Sequence, residues 1–271
     1  MANDQQQVTG VLERVNEIIV NTGNILGCKE LTKKVFQSLV EELIQSVTLA
    51  LMKWSSNSKG QHLSRGGELL EYTNKDLPSV VRPDERSTLK ITVKIFLCSF
   101  DVEAFQNATS KVLEHLGVLE LDSLILGFPW KGSKATLEQM QPLWEAAERE
   151  VLRGRTLSVG VSDLDSNQLK ELHQWAAVKP SINQVNLDSC CVIPQDMAEF
   201  AKANNIQLLT HSDPKVVLDT DSVKRILRPY LPEDKLGDWT PRWVARYSVL
   251  VKCRGFIQSK GYIADLVKTT N

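Results

Sequence analysis

The side chains best placed for chemistry gather at the ends of two apolar strands. Leu157 to Val161 is an apolar, β-branched run that closes on Ser162 and Asp163, and Ile182 to Leu187 carries Asn183 and Gln184. A hydroxyl, a carboxylate and two amides at strand ends of a parallel βαβ unit are the groups with which an α/β barrel holds a polar ligand. Ser162 has a second reading, as a hydrogen-bonding residue at the start of the next helix. Lys94 stands in apolar company in LKITVKIFLC. It is either a pocket cation or a side chain that turns its ammonium to a carboxylate at the strand mouth. His211 ends the strand Ile206 to His211 with no serine or cysteine nucleophile paired to it in sequence, which fits a hydrogen-bonded, partly buried imidazole. Cys190 and Cys191 are adjacent, and neighbouring cysteines make only a strained ring disulfide. They are two small residues at a strand end or, alternatively, supply one exposed thiol near a partner surface. None of the five cysteines forms a C-x-x-C pair and the four histidines are well separated, so no metal site is expected.

The elements that must position these groups follow from the apolar pattern. Asp165 precedes Gln168 by three residues, a capping-box spacing. Leu169, Leu172 and Ala176 then share one helical face, and Lys179-Pro180 stops the helix. Upstream, Val8 to Leu26 suggests a strand or hairpin, and Leu39, Leu43, Val47, Ala50, Leu51 and Trp54 an amphipathic helix. Residues 55–86 read mostly as loop. Leu89 to Cys98 and Leu121 to Phe128 are strands, each followed by a helix; the second helix ends near Gly154, which suits a C′ position. Downstream, Pro194 to Asn204 is a short helix and Val216 to Leu231 is helical in part. Trp239 to Val251 suggests a helix capped by Thr240, with Pro241 at its first position. On that helix Trp239, Trp243 and Tyr247 form an aromatic stripe, core in one reading and an interface anchor in the other. Gly255 to Ser259 is the last strand, with a helical or frayed tail. Strands alternating with helices over 271 residues point to α/β architecture. A single domain spanning 1–271, a (β/α)8 TIM barrel, is the matching form.

Composition excludes several classes of function. With 32 basic and 33 acidic residues the net charge is −1, so nothing favours nucleic acid or an acidic membrane surface. MANDQQQVTG lacks the basic and apolar regions of a secretory leader, and no run approaches a membrane span. An odd cysteine count without a leader suggests reduced thiols in the cytoplasm.

Three fragments resemble the aldo-keto reductase superfamily. GVSDLDSNQL is similar to its GVSNF segment, VKPSINQVN to its K-P-x-x-N-Q-V-E segment, and LDSLILGFP to its D-L-Y-L-I-H-W-P strand. The resemblance implies a barrel of aldo-keto reductase type. It also implies that Ser162, Asp163 and Gln184 stand where the family holds the nicotinamide carboxamide, and His211 where an aromatic ring stacks on it. Asp163 replaces an asparagine and has no amide donor. Of the four catalytic groups only the lysine survives, as Lys94. The histidine position is Gly127, and the D-T-A-x-x-Y segment is absent from 55–86, which has only Tyr72.

NQVNLDSCCVIP, IQLLTHSDP, RYSVLVKCRGFIQSKGYI and NTGNILG narrow the resemblance to one non-enzymatic branch, the regulatory (modifier) subunits of glutamate–cysteine ligase. This implies a chain with no catalytic residues and no cofactor, NADPH in the old cleft being the alternative, paired with the ligase catalytic subunit in a cytoplasmic heterodimer of glutathione biosynthesis. Cys190, Cys191, Trp239 and Trp243 are then the candidate partner contacts. The alternative is a working NADPH-dependent oxidoreductase whose proton donor is Tyr72 or Tyr262.

Overall fold

The computed structural model describes residues 2–56, 63–64, 67–186 and 192–269. The chain opens with α1 (Ala2–Arg14), β1 (Glu17–Asn21), α2 (Lys29–Thr32), α3 (Leu39–Ser56), β2 (Leu63–Ser64) and β3 (Leu69–Thr73). Five strands each followed by a helix come next: β4 (Leu89–Leu97), α4 (Val102–Leu116), β5 (Ser123–Gly127), α5 (Leu137–Leu152), β6 (Val159–Ser162), α6 (Ser166–Trp175), β7 (Ile182–Asn186), α7 (Gln195–Ala203), β8 (Gln207–His211) and α8 (Thr220–Leu227). The chain closes with α9 (Glu233–Leu236) and two long strands, β9 (Trp239–Val251) and β10 (Phe256–Lys268).

Local chemistry fixes the middle of the chain. Asp101 caps α4 by accepting from the amides of Glu103 and Ala104, and Gly117, at φ 65°, ends it in the left-handed conformation. Capping boxes open α5 (Thr136 with Gln139) and α6 (Asp165 with Gln168). Every residue of β5 and β6 is buried, as apolar runs covered on both faces require.

The α/β fold of aldo-keto reductase type is present, with a departure from eight repeated βα units. Strands β4 to β8 pair in parallel in sequence order. On the other side of β4 the sheet continues as β9, β10, β1, β3 and β2, with antiparallel pairs at β4–β9, β9–β10 and β10–β1. Among the described residues the order has two ends, β2 and β8. Helices α4 to α7 cover one face, over a core that includes Phe105, Trp144 and Trp243. On the opposite face α1, α3 and α8 pack over β9, β10, β1 and β3 around Leu12, Leu51, Ile226 and Tyr262.

Three local expectations are corrected. Trp239 to Val251 is a strand, and the tail to Lys268 is its partner. Trp239 and Trp243 are fully buried, so neither ring is a surface anchor. A bulge at Arg242, where the register steps from Trp243↔Asp265 to Pro241↔Leu266, turns the two indoles to opposite cores. The N-terminal stretch begins with α1 before β1. Within 55–86, β3 is a regular strand parallel to β1.

Candidate functional site

The register of the strands puts Lys94 of β4 beside Arg246 of β9 on the face opposite α4 to α7. Two adjacent cations on one sheet face repel unless a carboxylate joins them. Asp213, two residues past β8, does so. Lys94 Nζ donates to its Oδ2 at 2.8 Å, and Arg246 makes a fork to Oδ1 at 2.7 Å and Oδ2 at 2.9 Å. Strands β4 and β8 lie four spacings apart, about 19 Å in a flat sheet. The sheet therefore coils toward this face, and the connection after β8 crosses back over it. Asn186 at the end of β7 ties the same connection by donating to the Asp213 carbonyl at 2.7 Å. Lys94 thus turns its ammonium to a carboxylate, the second of the two readings open to it. Phe96 covers the pair, its ring centre 4.9 Å from Lys94 Nζ and 5.6 Å from the Arg246 guanidinium carbon.

A second cluster adjoins the first. His211 Nδ1 accepts from the Asp213 amide at 3.0 Å, so the neutral ring carries its proton on Nε2, which faces Asp163 Oδ1 at 3.1 Å. Ser162 donates to the other oxygen of Asp163. Asp163 is in the left-handed region, at φ 67°, a conformation aspartate tolerates. Its amide donates to the Gln184 carbonyl at 2.8 Å.

Electrostatics follow from this packing. Burial alone would raise the Asp213 carboxyl, but His211, Lys94 and Arg246 hold it far below the usual carboxylate range. Burial lowers Lys94, and Asp213 opposes the shift only in part. Burial would likewise raise Asp163, yet its bonds from His211 and Ser162 keep it below its ordinary value. For His211 burial lowers and the hydrogen bonds to Asp163 and Asp213 raise, with a net rise.

Ser162 Oγ lies 3.3 Å from His211 Nε2, and His211 Nδ1 3.3 Å from Asp213 Oδ2. The order of contacts is that of a serine nucleophile, but the chemistry is not. The Ser162 proton is given to Asp163, which also takes the Nε2 side of the imidazole, and Ser162 is only 2% exposed.

Two cavities, of about 560 Å³ and 310 Å³, flank the cluster and share Phe128, Trp130, Asp163 and Lys215 as walls. Lys215 Nζ sits 3.9 Å over the Trp130 ring between them. Gly127 borders the larger cavity, and a Cβ there would lie 3.2 Å from the Ile95 carbonyl oxygen. Both alternative proton donors are poor acids. Tyr262 is buried and donates to Glu42, with Lys260 Nζ 2.6 Å from the same carboxylate oxygen; burial, then Glu42, pushes the phenol up. Burial raises Tyr72 as well.

Of the residues singled out from sequence, Lys94, Ser162, Asp163 and His211 converge. Gln184 shares their sheet face and has a buried Oε1 without a hydrogen-bond partner among the described residues. Asn183 is turned to the α7 side, where Nδ2 donates to the Leu164 carbonyl at 3.2 Å. Cys190 and Cys191 lie outside the described residues. Sequence reasoning missed Asp213, read there as part of a turn, and Arg246, hidden in a segment read as helix.

These residues do not fit a nicotinamide. The carboxamide oxygen needs a donor where Asp163 has only acceptors, and the Ser162 and His211 Nε2 protons are already directed at Asp163.

The family model for the aldo/keto reductase family matches residues 67–213, more than half of the chain, which covers β3 to β8 and reaches Asp213. The chain thus belongs to the aldo/keto reductase family. Within it the similarity runs nearly end to end with glutamate–cysteine ligase regulatory subunits. Those of Rattus norvegicus and Homo sapiens are each 40% identical over 266 residues, covering 97% of this chain and 97% of theirs. The chain belongs to that regulatory-subunit family. A solved aldo/keto reductase from Brucella melitensis is 16% identical, with a TM-score of 0.38 over 77% of this chain and 62% of that one.

Proposed function

We propose that this chain is the regulatory partner of a glutamate–cysteine ligase catalytic subunit and carries out no reductase chemistry of its own. It binds the catalytic subunit as a heterodimer in the cytoplasm, improves its use of glutamate and relaxes its inhibition by glutathione. A subunit that binds two conformations of its partner equally shifts neither, so this one binds the glutamate-competent conformation more tightly. The observation that carries the reading is 40% identity over 97% of the chain to regulatory subunits. The inner chemistry agrees. Aldo-keto reduction needs a tyrosine made more acidic by a neighbouring lysine, and an imidazole beside the carbonyl. Here Lys94 is committed to Asp213, both candidate tyrosines are shifted upward, and Gly127 has no side chain. No helix among the described residues is long and apolar enough to cross a membrane.

Ligase assays of the catalytic subunit with and without this chain, after co-purification, test the reading. The expected result is a stable complex with lower glutamate KM and weaker inhibition by glutathione. Unchanged values in a formed complex, or no complex, would remove it. Steady consumption of NADPH with simple aldehydes by the isolated chain would restore the oxidoreductase alternative.

A further inference from the structure

We infer that the mouth of this sheet is liganded by the chain itself: the Asp213 carboxylate fills an anion position between Lys94 and Arg246, Asp163 and His211 satisfy one another, and the cleft takes up no nicotinamide dinucleotide. The inference stands whether or not the chain partners a ligase, because it concerns only contacts within the chain.

The first support is the completeness of the contacts. Asp213 Oδ2 receives Lys94 and Arg246 while Oδ1 receives Arg246, so the fork geometry that a bound carboxylate or phosphate would use is taken. Lys94 and Asp213 are 3% and 5% exposed, so the pair is shielded from competing ions. The second support is the conversion of the amide-binding set. The Ser162 hydroxyl proton and the His211 Nε2 proton are both directed at Asp163, and His211 Nδ1 accepts from the Asp213 amide, leaving Gln184 alone of this set to donate to a carboxamide oxygen. The third is the route of the chain after β8. Asp213 is anchored by side chain and, through Asn186, by its carbonyl, so the connection that follows is held across the cleft from within.

Lys131 and Lys215 also border the larger cavity, and neither makes an ion pair among the described residues. Rim lysines without an ion-pair partner give attraction that salt screens. They do not supply the carboxamide donors that Asp163 lacks.

The test has two arms on the full chain. In the first, the unmodified protein is titrated with NADPH through millimolar concentrations, reading reduced-nicotinamide fluorescence and the thermal midpoint. No saturable change in either is expected, and saturable binding overturns the inference. In the second, Asp213→Ala opens a carboxylate-sized space between two cations. Formate should raise the thermal midpoint of this variant saturably by several degrees and leave the unmodified chain unmoved, whereas neutral formamide should do nothing to either. A folded Asp213→Ala that ignores formate, or an equal response in both proteins, also overturns it. Where the alanine variant does not fold, the NADPH titration decides by itself.

Discussion

Strands β4 to β8 run parallel, β4 to β7 each followed by a helix on one face and β8 by α8 on the other, whereas β9, β10 and β1 alternate in direction with no helix between β9 and β10. The parallel half supplies Lys94, Ser162, Asp163 and His211; the antiparallel half supplies Arg246. Asp213 touches both halves and neutralises a buried or half-buried cation from each. The ancestral scaffold thus keeps its strand-end groups on the parallel side, and the antiparallel side closes them off with one arginine.

Removing the carboxylate at that seam has the largest expected effect. Asp213→Asn leaves the buried Lys94 and the half-buried Arg246 without their shared counter-charge, a loss of about 3–5 kcal/mol for a broken buried pair. Lys94→Met should cost less, about 1–3 kcal/mol, because the Arg246 fork still neutralises Asp213. Urea denaturation of both variants measures the contrast, and equal losses would mean that Asp213 does not join the two halves.

Two glycines sharpen the same comparison. A Cβ on Gly261 of β10 would lie 2.2 Å from the Gly23 carbonyl oxygen and 2.3 Å from the Tyr247 hydroxyl. Gly261→Ala should therefore cost about 1–3 kcal/mol or more through overpacking. Gly127→Ala in the parallel half meets its nearest neighbour at 3.2 Å and should cost under about 1 kcal/mol, the range of substitutions that force little rearrangement. A reversed order in thermal midpoints would show that the antiparallel half yields more readily than its packing implies.

Between these in size is the cap of α5. Thr136→Ala removes the hydroxyl that accepts the Gln139 amide and should cost about 1 kcal/mol, a loss confined to the parallel half. The smallest effect is that of pH on His211. Its folded value is raised above 6.5, so the folded state holds the proton more tightly than the unfolded chain. The stabilisation is complete below 6.5 and disappears as pH rises through the folded value. Asp213 and Asp163 are held below 3.8, so their contribution is complete above that value and fades as pH falls. Thermal midpoints measured from pH 6 to 9 should fall more in the unmodified chain than in His211→Gln. Parallel curves would detach His211 from the network.

The parallel half was largely legible because its signals are local. The spacing of Asp165 and Gln168 produced the capping box it suggested, and apolar runs produced β5, β6 and β7. The antiparallel half was not legible, for two reasons. Residues 239, 243 and 247 are separated by four, which satisfies a helical face and strand parity alike, and Thr240-Pro241 imitates a helix start. In the structure Pro241 lies near the start of β9 beside the bulge, where a missing amide is tolerated. The same misreading hid Arg246. Asp213 was visible as a turn residue, but its role depends on a contact with Lys94 across 119 positions, which no local pattern encodes.

The placement of β9 and β10 between β4 and β1 sets the order in which the protein can be made. During synthesis every strand from β1 to β8 leaves the ribosome before the hairpin that joins the two flanks. Until residues 239–268 arrive, β4 and β1 each hold out a row of unsatisfied amides and carbonyls, an invitation to other nascent chains. Insertion of the hairpin is then the late, long-range step, the kind of pairing that folds slowly. A polypeptide cut short before Trp239 has two adhesive borders instead of a joined sheet.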